Sequence, residues 1–174
     1  MSQKPRNDTH ESTFMSLAML ERIVEVPWDS YPRPPYEKVC RIPEALRSVY
    51  SANDLNSSRK AAAALTWAIG NDHSGTYYPA LLGVLPFVED LLRNGSIWSR
   101  AAVLGFLCDM LFTFAPESGY EEFTDSSGRC INVETEFRAW MHDLHPLLAH
   151  LAQHRDEPSK YARELLEEID GKNG

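Results

Sequence analysis

Positive charge is in short supply. Seventeen lysines and arginines face 25 aspartates and glutamates, for a formal net charge of −8 at pH 7. A nucleic-acid binder needs a basic footprint, so this balance argues against nucleic acid as a partner. It favours a partner of opposite charge, drawn in by electrostatic steering. Long apolar runs are missing too. The longest apolar region, Ala101 to Phe114, is interrupted by Asp109 and falls short of the roughly 18 residues that a membrane span needs. Residues 1–11 are polar and mixed in charge, without the basic-then-apolar order of a signal peptide. Three cysteines, Cys40, Cys108 and Cys130, make an odd and sparse set that points to free thiols in a reducing cytoplasm. Alternating β-branched runs are nearly absent, which leaves little strand signal. Only Arg129 to Val133 reads as a short extended piece.

What is present is enough for a core. Hydrophobic residues make up 43% of the 174 positions and charged residues 24%. This suits one domain over 1–174, with 1–11 as a flexible terminus. Helical spacing of Phe14, Leu17, Leu20, Ile23 and Val24 predicts a first helix over 13–26, ended by Pro27. Six more helices follow, over 43–51, 58–69, 79–93, 96–114, 134–153 and 158–169. Pro43 opens one of them at a position where its missing N–H costs little. Ser57 or Ser58 is placed to cap the next, and Gly70-Asn71 to stop it.

The helices recur. Ser58-Arg59-Lys60-Ala61 returns as Ser99-Arg100-Ala101-Ala102 after 41 residues. Ser99-Arg100 returns as Ser159-Lys160 after 60, and Pro86 as Pro146 after the same 60. The longer second offset locates an insertion, the loop 115–133. Fixed offsets of this size are the mark of stacked helix pairs, each burying one face against its neighbour. The expected fold is all-α: a HEAT-like α-solenoid of about three antiparallel pairs (36–70, 77–114 and 134–170). The helix at 13–26 would cap its N-terminal end.

One stretch also carries a resemblance. Gly70-Asn71-Asp72-His73-Ser74-Gly75-Thr76-Tyr77-Tyr78-Pro79, followed by Leu85-Pro86-Phe87-Val88, resembles small bacterial HEAT-repeat proteins. Some of these are immunity proteins beside polymorphic toxins. The resemblance covers about 62–112. It implies a toxin-neutralising partner protein in a bacterial cytoplasm, and it offers no catalytic residues. A scaffold or adaptor without a toxin partner is the alternative.

Two segments stand out as candidate contact surfaces. In the first, 71–78, Asp72, His73 and Tyr77 are expected to touch a partner. The plainer reading is a turn, with Gly70 and Gly75 at positive φ and Thr76 capping the next helix. Asp72, His73 and Ser74 are triad residue types, but being consecutive they do not align as nucleophile, base and orienter. The second is the long acidic loop. Glu117, Glu121, Glu122, Asp125, Glu134 and Glu136 oppose only Arg129, a charge of −5. Tyr120 and Phe123 lie among these acids as candidate anchors, and Glu117, Tyr120, Glu121, Glu122 and Asp125 are the expected partner contacts. Asp125-Ser126-Ser127-Gly128 lacks the spacing of a calcium loop.

The remaining chemistry is sparse. His142, His145, His150 and His154 read as a solvated helix face rather than a metal site. Cys108 falls on an apolar stripe as an inert core thiol. Arg41 beside Cys40 and Arg129 beside Cys130 are the one hint of a lowered thiol pKa. No metal, cofactor or enzyme activity is expected.

Overall fold

The structure, a computed structural model, describes residues 18–171. The expectations for 1–11, and for Phe14 and Leu17 of the first helix, lie outside the described residues. Helices account for most of the rest. α1 is described over 18–25. It is followed by α2 (Ile42–Tyr50), α3 (Leu55–Ile69), α4 (Ala80–Asn94), α5 (Ile97–Phe112), α6 (Val133–Asp143), α7 (His145–Leu151) and α8 (Glu157–Gly171). No described helix is long and apolar enough to cross a membrane.

The helices pack as pairs. α2 lies on α3, α4 on α5 and α7 on α8, while α3, α5 and α8 lie side by side. Local sequence explains each entry. Asp54, not Ser57 or Ser58, caps α3: its carboxylate accepts from the Ser57 amide at 2.6 Å, and the Ser57 hydroxyl accepts from the Asp54 amide. Ser96 caps α5 by accepting from the Ser99 amide at 3.0 Å. α5 is apolar all round because α2, α3, α4 and α8 surround it.

The recurring serines are structurally alike. Ser58, Ser99 and Ser159 sit in the first turns of α3, α5 and α8, and all three are buried. Ser99 also donates its hydroxyl to the carbonyl of Tyr50 at 3.2 Å, one of the last carbonyls of α2. It thus gives a terminal helix carbonyl a partner that the helix itself lacks.

Several expectations need correction. The fold is mostly helical, with packed helix pairs as expected, and adds a few short strands. Short strands β1 (Gly70–Asn71), β2 (Thr76–Tyr77), β3 (Ala115–Pro116) and β4 (Glu122–Thr124) occupy segments expected to be loops, and β5 (Cys130–Asn132) is the extended piece expected over 129–133. The expected helix 134–153 is two helices that meet at Leu144. Pro146 therefore opens a helix, whereas Pro86 lies inside one, so the two prolines are not equivalent. A proline ring clashes with the carbonyl four residues back, here that of His142, and the chain turns instead of continuing.

The N-terminal helix lies against α4. Arg22 of α1 pairs with Asp90 of α4 and lies 5.4 Å from the ring centre of Phe87. Trp28 follows, 6.0 Å from Phe87 and bonded through its indole N–H to the Ile23 carbonyl at 2.8 Å. Gly83 makes this possible, since a Cβ there would stand 3.2 Å from the Trp28 and Tyr31 rings. On the same helix Val24, expected inward, is 67% exposed. Ile97 and Phe112, at the two ends of α5, are also exposed.

Candidate functional site

The α3–α4 and α5–α6 connections emerge at one edge of the molecule, and there the two candidate segments become a single structure. β1 pairs antiparallel with β2, and β2 pairs in parallel with β3. Thr76 lies opposite Ala115 and Tyr77 opposite Pro116. The Ala115 amide donates to the Gly75 carbonyl at 3.0 Å, and the Glu117 amide to the Tyr77 carbonyl at 2.8 Å. The Thr76 hydroxyl then donates to the Glu117 carboxylate. Thr76 is therefore a link between segments, not the helix cap expected of it. Pro79 occupies the N-cap position of α4 without a side-chain bond.

A third segment joins them. Tyr36 donates its hydroxyl to the Gly70 carbonyl, and the Ala80 amide at the start of α4 donates to the Pro32 carbonyl at 3.1 Å. Gly70 is needed for closeness. Its φ is −149°, not positive as expected, but a Cβ there would lie 2.4 Å from the Thr76 carbonyl oxygen. Gly75 does take positive φ, at 64°.

The long acidic segment is ordered by its own pairing. β4 and β5 form an antiparallel hairpin with Phe123 opposite Ile131. Asp125 holds the turn, accepting from the Ser127 amide at 2.8 Å, the Ser127 hydroxyl at 2.6 Å and the Arg129 amide at 3.0 Å. These bonds, the hydroxyl foremost, lower its pKa.

The expected contact residues divide on this frame. Asp72, His73, Glu121 and Glu122 are exposed. Glu117 and Tyr120 are half-buried, Tyr120 with its ring 4.9 Å from that of Tyr78. Tyr77 is a correction. It is 2% exposed and packs edge-on against Phe137 at 6.1 Å, and burial pushes its pKa up. Strand alternation turns it inward while Thr76 turns out. Asp125 is likewise taken up by its own turn. Phe123, read as an anchor for a partner, is turned back against Tyr31 at 5.9 Å and anchors the hairpin instead. Glu134 is engaged by Arg138 at 2.8 Å. No family model, characterised protein or solved structure matches this chain.

Tyr36, Tyr78 and Trp67 belong to this edge as well, though no sequence pattern marks them as contacts. Trp67, near the end of α3, meets the His73 ring edge-on at 5.2 Å.

Burial and nearby acids outweigh arginine at the thiols. Burial pushes Cys108 up to about 12, with Glu164 and Asp109 adding to it. Desolvation raises Cys40 as well, and raises Cys130 together with the neighbouring Glu122. The expected lowering of Cys40 and Cys130 by adjacent arginines is thus reversed. His73 and Ser74 serve the turn: the His73 amide donates to the Asn71 side chain, and the Ser74 hydroxyl to the Asn71 carbonyl.

Proposed function

We propose that this chain is a protein-binding module that neutralises a toxin with a basic surface, by covering the toxin's active site from within a reducing bacterial cytoplasm. One observation carries the reading. Pairing of β2 with β3 joins the 70–78 turn to the acidic segment, so that Asp72, His73, Glu117, Tyr120, Glu121 and Glu122 belong to one edge. Acids on a preformed edge steer a basic partner and lose little entropy on binding it. Supporting it are the net charge of −8 and the resemblance of the 70–88 region to HEAT-repeat immunity proteins. The adjacent α3, α5 and α8, each with a buried serine in its first turn, suit a short HEAT-like solenoid that presents this edge.

The test is co-expression with the product of the neighbouring gene. Growth rescue and co-elution on a sizing column are expected. The double variant E121K/E122K should slow association about tenfold or more and flatten its salt dependence. No rescue and no complex would remove the toxin reading. A complex with a housekeeping protein instead would establish an adaptor.

A further inference from the structure

Beside the acidic edge, a groove of about 270 Å³ runs between α3, α5 and α8. Small residues make room for it. A Cβ placed on Gly105 would meet nothing within 4 Å. Trp67 walls one end, 37% exposed and braced by the His73 ring, and Tyr161 stands on the α8 side. Walls of this kind accept an alkyl stem and a flat polar head.

The polar atoms say what the head is. Asp72 and Asp109 both line the groove. Desolvation raises the pKa of Asp109, and the Asp72 carboxylate raises it further, so the two acids share one field. Neither is in an ion pair among the described residues. Arg59 also lines the groove, and its charge is felt at Glu157 as well. Thr66 gives an independent sign. This residue lines the groove and is 3% exposed, and its buried hydroxyl oxygen has no hydrogen-bond partner. Buried hydroxyls are costly to leave unpaired.

Two carboxylates and a hydroxyl offer acceptors. A guanidinium supplies several donors in a fixed plane, carries the opposite charge and lies well against an aromatic ring. The volume falls below the roughly 300–1,000 Å³ of small-molecule pockets, which suits one side chain.

We propose that this groove receives a single arginine side chain of the protein partner, its stem over Gly105 beside Trp67 and its guanidinium held by Asp72, Asp109 and the Thr66 hydroxyl. The source of the arginine rests on the partner reading above; the groove chemistry does not.

The test uses the full chain and no partner. N-acetyl-arginine amide is titrated against 15N-labelled protein while the Gly105 amide and the Trp67 indole are followed by NMR. Both signals should shift, with millimolar affinity as befits one side chain. D72N/D109N should weaken binding about tenfold or more. G105L should abolish it by filling the groove. If G105L does not fold, T66V with an unchanged circular dichroism spectrum takes its place, and a several-fold loss is expected. N-acetyl-norleucine amide should leave both signals in place. No shift, equal shifts with norleucine or lysine amides, or unchanged affinity in D72N/D109N would overturn the proposal. An arginine response without growth rescue removes the toxin partner and leaves the groove chemistry; rescue without a response does the reverse.

Discussion

The Thr76 hydroxyl donates to the Glu117 carboxylate across 41 residues of sequence, at the point where β2 and β3 run in parallel. This bond closes the junction between two connections that the chain makes independently. Everything that projects from the edge is placed by it and by the backbone bonds on either side.

Removing the hydroxyl should therefore loosen one place. T76V is expected to cost about 1 kcal/mol in urea unfolding, the ordinary net worth of such a bond. Amide exchange should quicken at Ala115 and Glu117 while α5 stays protected. Unchanged exchange at those two amides would assign the junction to the backbone pairing alone.

Gly70 and Gly105 should respond in opposite directions. A methyl at Gly70 meets the Thr76 carbonyl oxygen at 2.4 Å, so G70A is expected to destabilise by roughly 1–3 kcal/mol. A methyl at Gly105 meets nothing and restores helix propensity in the middle of α5. G105A should stabilise by about 1 kcal/mol. Chemical denaturation of the two variants beside the parent decides both.

Cys108 makes stability fall at high pH. Its pKa is about 12 in the folded chain, against an ordinary value of 9.0. Between these values the unfolded chain ionises and the folded one does not. The stabilisation is therefore whole below about pH 9 and declines toward 12. Tyr77, raised by burial, adds to the decline above its ordinary value of 10.0. Melting temperatures of C108A from pH 8 to 11 should slope less steeply than those of the parent.

The acid side has the opposite sign. Hydrogen bonds from Ser57 lower the pKa of Asp54, the cap of α3. A carboxylate lowered by folding contributes stability above its ordinary value of 3.8, and that contribution is lost as pH falls through the folded value. D54N keeps an accepting cap without a titrating one. Its melting temperature should lose less than the parent's between pH 5 and pH 2.5. Equal losses would place the acid sensitivity elsewhere, with Asp125 the next residue to replace.

The helices were legible because each carries its own instructions. Pro43 opens α2, Ser96 caps α5, and the 3.6-residue spacing of Phe137, Met141, Leu144 and Leu148 marks an inward face. The recurrence of Ser58, Ser99 and Ser159 was legible as well, and in the fold all three enter helices from buried positions. The site was legible only as two separate segments. Nothing in Thr76 or Glu117 announces the other, because a single hydrogen bond between distant positions leaves no local pattern. Tyr77 was misread for a related reason. In a two-residue strand no alternation is long enough to reveal which side chain faces the core.

The sequence by itself determined that most of the chain is helical, roughly where the helices lie and how much negative charge the chain carries. These follow from capping, periodicity and composition, which act within a turn or two of helix or not through structure at all. Only the tertiary structure decided that the 70–78 and 115–124 segments form one edge. The stacking of α3 beside α5 brings their C-terminal connections together, and a parallel strand pair can form only between segments that the packing has already made neighbours. It also decided that Asp72, Asp109 and Thr66 share a groove, since the three are united by helix packing and by no spacing in the chain.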